Sequence, residues 1–397
     1  MMTTKIDPSG KDMLEFVKMI CDEVGPRIGG SEEERKAGEL IQNKMSTFCD
    51  QVERHDFECH PRGFLDWIYI TAVLYIAGVI SYFFIPILSV IFIILAILIF
   101  FFQQMLLMEV VDFFFPKKKS FHVIGKIKPQ NTPKKLVLLA GHHDSAYEFP
   151  LLSKLGEKSA LLIISVLLIS FVNIILGIIK TIFIMIEAQD YIALIDFIQV
   201  IFFIIGVILV LIFAKFLRSN KVVMGANDNL SAVAAAIECG KYFSKNKPKE
   251  TELWIVSFAG EEHMRGSKRF VSKYKHELME REAMLFNLEC LSAERFLLAT
   301  AEPTYLAKHS TRVIDFVKKA AEDLKIAIEV EPLKFAGSDA ANFSRKGLHA
   351  TTLFGLSKKG TPPDWHTEND IAERLSGERI AQATEIALHF VELVDQS

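Results

Sequence analysis

Two long apolar stretches interrupt the sequence, and their pattern predicts membrane-spanning helices. Residues 68–107 contain no charged residue, and Pro86 lies near their middle. A single helix over this stretch would be about 60 Å long, roughly twice the apolar thickness of a bilayer, so a turn is needed near the proline. A second apolar block runs from about residue 160 to residue 214. We therefore predict two transmembrane helical hairpins, over residues 64–112 and 159–215, in a multi-pass protein with four transmembrane helices.

The charges around the two hairpins predict the orientation of the protein. Each hairpin contains an even number of spans, so everything outside them lies on one side of the membrane. The other side offers only Lys180 against Glu187, Asp190 and Asp196. The flanks on the first side are rich in basic residues, namely Arg62, Lys117, Lys118, Lys119, Lys154, Lys158, Lys215, Arg218 and Lys221. By the positive-inside rule, we expect the soluble part in the cytoplasm.

The segments outside the hairpins are predicted to form one discontinuous domain, made of residues 10–62, 116–156 and 216–397. Short apolar runs there predict buried strands, and stretches with helical spacing alternate with them. This alternation is typical of an α/β fold with a mostly parallel central sheet flanked by helices. The strands predicted at 121–127 and 136–139 are joined by a short, turn-rich segment, so we expect them to be antiparallel neighbours.

Composition and charge exclude some classes of function. The net charge is −3 and the isoelectric point is near 6.4, which gives no reason to expect a nucleic-acid partner. The chain has 5 cysteines, an odd number, and no two of them form a Cys-x-x-Cys pair. A disulfide framework and a thiolate zinc site are therefore not expected.

Polar residues gather where the predicted strands end or where the next helix opens. Ligands of helix-flanked parallel sheets bind at such positions. The set contains imidazoles and carboxylates, which are the donors that zinc accepts. Two zinc ions close together need a bridging carboxylate and about two further protein ligands each. The residues that meet this requirement are His142, Asp228, Glu262, Glu289 and His366, with Asp228 as the bridge.

Neighbouring residues complete this predicted site. Side chains two apart on an extended chain point the same way, so Asp144 can reach the imidazole of His142 and fix its tautomer. Glu261 and Glu262 are adjacent and cannot easily bind one metal together. One of them should bind zinc and the other should face the water that the metal activates. His143 and His263 we interpret as structural.

At this level of detail the sequence resembles a large group of di-zinc peptidases, which contains bacterial and vacuolar aminopeptidases, glutamate carboxypeptidase and, more distantly, glutaminyl cyclases. The resemblance covers essentially the whole soluble part, with the motifs in the same order. It begins close to the family's early signature at Gly25-Pro26-Arg27-Ile28-Gly29-Gly30-Ser31. It continues through His142-His143-Asp144-Ser145, Asn227-Asp228-Asn229, Glu261-Glu262, Asn287-Leu288-Glu289, Gly337-Ser338-Asp339 and His366-Thr367.

The resemblance implies a role for each matched residue. His142 and Glu289 would hold one metal, Glu262 and His366 the other, and Asp228 would bridge them. Of the two catalytic residues, Glu261 would be the general base and Asp144 the supporting acid. Ser338 and Asp339 would contact substrate, although Ala340 stands where many members have His. Glu289 replaces an Asp found in many members, and the second hairpin makes the segment from His142 to Asp228 unusually long.

The function we predict is hydrolysis of a peptide bond near one chain end by a zinc exopeptidase with two zinc ions. Glu261 would take a proton from the attacking water. Removal of single N-terminal residues is preferred over carboxypeptidase action, because no cluster of arginines indicates carboxylate capture. Two other classes stay open, an acyl transferase of the glutaminyl cyclase kind and a silent membrane scaffold. The expected partners are the lipid bilayer and peptide substrates, with apolar peptides delivered at the membrane surface as a hypothesis.

Overall fold

The chain forms two compact units in the computed structural model, which describes residues 6, 7, 9–155, 158–334 and 336–397. The first unit combines the chain up to Pro61 with Pro116–Glu148 and with everything from Asn220 onwards. The second unit combines Arg62–Phe115 with Phe149–Ser219. Each unit is therefore assembled from segments that are distant in sequence.

An eight-stranded mixed sheet is the centre of the first unit, in the strand order β1-β2-β4-β3-β5-β10-β6-β9. The pairs β4–β3, β3–β5, β5–β10 and β6–β9 are parallel, and the other pairs are antiparallel. A separate two-stranded ribbon pairs β7 with β8. The strands are β1 Gln51–Cys59, β2 Lys118–Ile127, β3 Lys135–His142, β4 Thr251–Phe258, β5 Met284–Glu289, β6 Arg295–Ala299, β7 Ala301–Glu302, β8 Ala307–Lys308, β9 Ile328–Glu331 and β10 His349–Leu356.

The predicted pairing of the strands near 121–127 and 136–139 is wrong. β4 lies between β2 and β3, antiparallel to the first and parallel to the second. The short connection from β2 to β3 crosses over the start of β4, where the N–H groups of Gln130 and Asn131 donate to the carbonyls of Pro248 and Lys249 (both 2.9 Å). β4 is apolar and buried along nearly its whole length, so it needs a strand on each side.

Seven of the described helices flank this sheet or cap its ends. Helix α2 begins at a capping box, because the hydroxyl of Ser31 accepts the N–H of Glu34 (3.1 Å). The carboxylate of Glu34 departs from the usual box by accepting the N–H of Gly30 (2.6 Å). The seven helices are α1 Lys11–Glu23, α2 Glu32–Met45, α8 Ser231–Lys245, α9 Gly266–Glu280, α10 Thr311–Leu324, α11 Asp339–Ser344 and α12 Gly377–Gln396.

The second unit is helical and apolar. Within the described residues, three of its helical stretches are long and apolar enough to cross a membrane: Pro86–Met105, Leu161–Met185 and Gln189–Phe216. Trp67–Ser81 is apolar but shorter. The helices of this unit are α3 Trp67–Ser81, α4 Pro86–Ile99, α5 Pro150–Leu155, α6 Ser159–Met185 and α7 Ile192–Phe216.

One buried charge inside the second unit is paired. Lys180 is buried, and its ammonium lies 2.8 Å from the carboxylate of Asp196, which also accepts the hydroxyl of Tyr82 (2.8 Å). A buried charge is stable only when it is paired and hydrogen-bonded in this way. Pro86 occupies the first turn of α4, where its missing N–H removes no helical hydrogen bond.

Candidate metal centre

Three neighbouring strands of the sheet end at the same edge and deliver polar side chains there. β3 ends at His142 and β5 ends at Glu289, while β4 is followed within a few residues by Glu261 and Glu262. These strands are parallel to one another, so their carboxyl ends meet. The parallel pairing of β3 with β4 and with β5 therefore brings these groups together.

Asp228 stands between two imidazoles. It lies in the irregular turn before α8, and its Oδ1 is 3.2 Å from Nε2 of His142. Its Oδ2 is 3.2 Å from Nε2 of His366, which comes from the loop after β10. One carboxylate thus faces a different histidine with each oxygen, which is the arrangement that a bridging ligand requires.

Each imidazole also has a carboxylate of its own. Oε2 of Glu289 is 3.5 Å from Nε2 of His142, and Oε2 of Glu262 is 3.2 Å from Nε2 of His366. Glu261 approaches His142 as well, with Oε2 at 3.6 Å from Nε2. The adjacent glutamates therefore face different histidines.

Asp144 connects the two sides of the site. Its Oδ1 lies 3.4 Å from Nδ1 of His142. The same carboxylate accepts the backbone N–H groups of Glu261 and Glu262, both at 3.1 Å. Asp144 thus contacts the histidine on one strand and fixes the turn that presents both glutamates.

Two buried residues that the sequence did not single out for a role hold the turns around the site. Asp370 accepts the backbone N–H groups of Asn227 (2.6 Å) and Asp228 (3.1 Å). Arg27 is buried and donates to four carbonyl groups, including that of His143 at 2.7 Å. Arg27 lies in the early motif of the resemblance, but Asp370 follows a polar stretch that gave no signal of burial.

The two histidines that we interpreted as structural are buried. Nδ1 of His143 lies 2.9 Å from the hydroxyl of Ser257, and burial lowers the pKa of His143 to about 3. The ring of His263 packs against Gly29 and Gly260, where an added Cβ would come within 2.5 Å of it. A larger residue at either glycine would therefore displace this ring.

Ser338 and Asp339, the predicted substrate contacts, are both fully buried. The hydroxyl of Ser338 lies 2.6 Å from the carboxylate of Glu302, and its N–H donates to the same carboxylate at 2.9 Å. Glu302 is also 3.1 Å from Nε2 of His309. Ser338 therefore contributes its polar groups to a buried network, in which Glu302 and His309 were not anticipated from the sequence.

The charges of the site are strongly coupled to its burial. Burial alone would lower the pKa of His366, but Glu262 and Asp228 raise it to about 10. Burial would raise the pKa of Asp228, yet its contacts with His142 and His366 hold it below its ordinary value. Burial raises the pKa of Glu289 to about 7 and that of Glu261 well above its usual range. The surrounding carboxylates therefore favour positive charge at this site.

This donor set fits zinc. Single donor atoms of His142, Asp228 and Glu262 lie within 4.8 Å of one another, and so do those of Asp228, Glu289 and Cys290. Burial raises the pKa of the Cys290 thiol well above its ordinary value, which makes the neighbouring oxygens and nitrogens the better ligands. In the described structure, Oε1 of Glu262 is buried without a hydrogen-bond partner. Divalent cations would balance this negative charge and use such an oxygen.

Comparisons with known proteins agree with this fold. Across 98% of this chain, the fold is similar to the crystal structure of BSAP, a zinc aminopeptidase from Bacillus subtilis, with a TM-score of 0.57, 14% identity and 96% of that chain covered. It is also similar to an Acidobacteriales bacterium glutaminyl cyclase, with a TM-score of 0.59, 12% identity and 100% and 98% of the two chains covered. At these identities the likeness shows the fold, a central sheet flanked by helices as in zinc exopeptidases.

Sequence comparison relates part of the chain to a peptidase family. Residues 210–391 match the model described as Peptidase family M28. Aminopeptidase YwaD of Bacillus subtilis (strain 168) is 28% identical over 166 residues, which cover 41% of this chain and 36% of that relative's length. These matches, which cover part of the chain, confirm the predicted resemblance to the di-zinc aminopeptidase-type family.

Proposed function

We propose that the chain is a membrane-bound zinc exopeptidase that removes single residues from the N-termini of peptides. The observation that supports this most directly is the position of Asp228, with one oxygen 3.2 Å from Nε2 of His142 and the other 3.2 Å from Nε2 of His366. A carboxylate placed in this way suits a pair of metal ions rather than one. The matched segment of peptidase family M28 and the zinc aminopeptidases of similar fold support the same reaction class.

Two zinc ions would be held by the five residues of this site. His142 and Glu289 would bind one ion, His366 and Glu262 would bind the other, and Asp228 would bridge them. Bound zinc supplies a Lewis acid that polarises the scissile carbonyl and lowers the pKa of water from about 15.7 towards 7. Asp144 keeps Nδ1 of His142 engaged at 3.4 Å, so that Nε2 points towards Asp228.

Glu261 is the proton carrier in this proposal. Its Oε2 lies beside the donor set, near His142. His366 makes its short contacts with Asp228 and Glu262 instead. Oε2 of Glu261 takes a proton from the attacking water and later delivers it to the nitrogen of the leaving amine. The two N–H bonds from the Glu261–Glu262 turn to Asp144 keep this oxygen in position during both transfers.

The buried arginine next to the site favours aminopeptidase over carboxypeptidase action. A carboxypeptidase must hold the free carboxylate at the end of its substrate, and an arginine fork is the usual group for this task. The guanidinium of Arg27 is fully buried and donates to the carbonyls of Gly25, His143, Met224 and Gly225. Its donors therefore serve the backbone of the site. The assay below also tests the alternative reaction, acyl transfer of the glutaminyl cyclase kind.

We further propose that the second unit crosses the membrane with four helices and that the zinc unit is cytoplasmic. Three helical stretches of sufficient length and the shorter apolar helix Trp67–Ser81 support this topology, together with the basic flanks. Peptides that are themselves bound to the membrane are the substrates we propose. An enzyme and a substrate confined to one bilayer meet at a raised effective concentration.

One assay tests the reaction class. Protein purified in detergent is given peptides with a free N-terminus, the same peptides with a blocked N-terminus, and peptides that begin with glutamine, while bound zinc is counted by elemental analysis. Release of the first residue from free peptides alone, with zinc approaching two ions per chain, supports the proposal. Cleavage of blocked peptides from the carboxyl end, or cyclisation of N-terminal glutamine, would overturn it.

A further inference from the structure

The second unit contains a cavity between its four long helices. Its volume is about 70 Å³, several times what one water molecule needs, and one side of it is open. Each helix contributes to its wall: Trp67 from α3, Phe100 from the turn after α4, Ile163 from α6 and Phe213 from α7. The cavity is therefore a feature of the bundle as a whole.

The wall of this cavity suits an apolar ligand. The polar side chains that reach it include Thr71 and Ser170, and their hydroxyls donate to the carbonyls of Ile68 (2.9 Å) and Val166 (2.8 Å) in their own helices. The hydroxyl of Tyr75 accepts from the amide of Asn173, as part of a buried polar group of its own. A peptide backbone would find few partners here, whereas a hydrocarbon chain needs none.

The cavity lies at one particular end of the bundle. Trp67 begins α3, Ile163 is in the second turn of α6, Phe213 is in the last turn of α7, and Phe100 follows directly after α4. This is the end at which the chain enters and leaves the second unit. From Trp67 to Tyr75, the wall extends about 12 Å into the bundle along α3.

Basic residues lie at this end of the bundle. The buried carboxylate of Asp66, just before Trp67, accepts from Nε of Arg62 (2.6 Å) and from the guanidinium of Arg218 (2.6 Å). The Arg62 side chain is 55% exposed and Lys215, in the last turn of α7, is exposed, whereas Asp66 is buried. Two basic side chains at this end, Arg62 and Lys215, are therefore open to a ligand.

We propose that this end of the bundle binds an anionic phospholipid. One acyl chain occupies the cavity, and the phosphate lies against Arg62 and Lys215. A phospholipid has the two parts that the site offers, a hydrocarbon chain for the wall and a negative charge for the rim. The inference rests on the proposed insertion into a membrane, but it is independent of the proposed peptidase activity.

Native mass spectrometry of the full chain tests the head-group contact. The protein is equilibrated with equal amounts of phosphatidylglycerol and phosphatidylcholine of identical acyl chains, and retained lipid is counted. We expect one retained lipid, with phosphatidylglycerol preferred about tenfold. Arg62→Gln should lower this preference about fivefold, while Arg62→Lys, which keeps the charge, should preserve most of it. No retained lipid, or equal retention of both lipids by the wild type, would overturn the proposal.

Filling the cavity tests the acyl-chain contact. Val210→Phe adds a ring at a buried wall position and should abolish retention of both lipids. Its matched control is Leu211→Phe, at a neighbouring position that is 51% exposed, which should retain lipid like the wild type. If Val210→Phe does not fold, Ile163→Phe fills the cavity from α6, with Ile164→Phe as its exposed control. Equal retention by the filled and control proteins would contradict the site, whatever the peptidase assay shows.

Discussion

The carboxylate of Asp370 accepts the backbone N–H of Asp228 at 3.1 Å and thereby fixes the turn from which Asp228 reaches both imidazoles. Asp370→Asn replaces one accepting oxygen by an NH₂ group, which cannot accept the N–H it faces. We expect metal affinity to fall about 10–100-fold, as for other residues that orient a ligand. Zinc retention against a graded series of chelator concentrations measures this. Glu368→Gln, an exposed change in the same loop, serves as the control. Unchanged zinc retention in Asp370→Asn would show that Asp370 does not position Asp228 for metal binding.

The proposed division of labour at the site predicts different losses for different residues. Glu261→Gln should keep zinc but lower turnover by several orders of magnitude, because the amide cannot take a proton from water. His366→Ala should lose zinc at one position. Turnover and zinc per chain are measured on the same preparations, with the exposed Glu280→Gln as control. Near-normal turnover of Glu261→Gln would exclude it as the base.

Glu34 makes the stability of the protein depend on pH. Burial and the nearby Asp144 raise the pKa of Glu34 from 4.5 to about 8. The folded state therefore keeps a proton that the unfolded state releases, so this contribution is complete below pH 4.5 and is lost as the pH rises to about 8. Over this range, wild-type stability should fall by up to about 1.4 kcal/mol per pH unit more than that of Glu34→Gln.

Thermal unfolding of both proteins in detergent between about pH 5 and 8 checks this difference. Glu33→Gln, an exposed change on the same helix, should keep the wild-type pH profile. Identical profiles for Glu34→Gln and the wild type would show that Glu34 is ionised when folded.

The proposed topology predicts which side each exposed position faces. With Cys49 replaced by serine, an impermeant thiol reagent added to intact cells should label Gln189→Cys, in the loop between α6 and α7, and leave Gln396→Cys unlabelled. Both positions are exposed in the structure, and the other four cysteines are buried. Permeabilised cells, in which both should react, control for reactivity. Labelling of Gln396→Cys alone in intact cells would place the zinc unit outside.

Substrates that partition into the bilayer should be cleaved more efficiently than soluble ones. Two peptides with the same N-terminal residue, one carrying an apolar tail, are compared with the protein in liposomes. The value of kcat/KM should be much higher for the tailed peptide, because confinement to the bilayer raises its concentration near the enzyme. In detergent, where the enzyme and the tailed peptide are no longer confined to one bilayer, the difference in kcat/KM between the two peptides should be smaller. Equal kcat/KM for the two peptides in liposomes would mean that the apolar helices only anchor the protein.

Sequence could predict the zinc-ligand candidates because strand ends are visible in it. The apolar run of β5 stops at Glu289 and that of β3 stops at His142, and parallel strands bring such ends together. The order of the strands was less accessible. The short connection between β2 and β3 indicates that these strands are neighbours in the sheet. It cannot show that β4, which comes much later in the sequence, lies between them.

Buried acidic residues were the other part that sequence could not give. Glu34 lies in a run of three glutamates in the first turn of α2, where negative charge is ordinarily exposed and favoured by the helix dipole. Its burial depends on the hydroxyl of Ser120, which β2 brings to it at 2.7 Å. Asp370 is similar, because its two partners are distant in sequence. The local sequence pattern indicates whether a residue lies in a helix or a loop. Whether such an acidic residue is buried depends on segments that are distant in sequence.

The position of β4 between β2 and β3 also sets an order for biosynthesis. β3 leaves the ribosome before either strand that will pair with it, and the whole of Phe149–Ser219 is synthesised in the interval. During that time β3 is an unpaired strand that is almost entirely apolar, the kind of segment that aggregates most readily. The nascent chain therefore has to complete its apolar helices while the centre of its eight-stranded sheet is still unpaired.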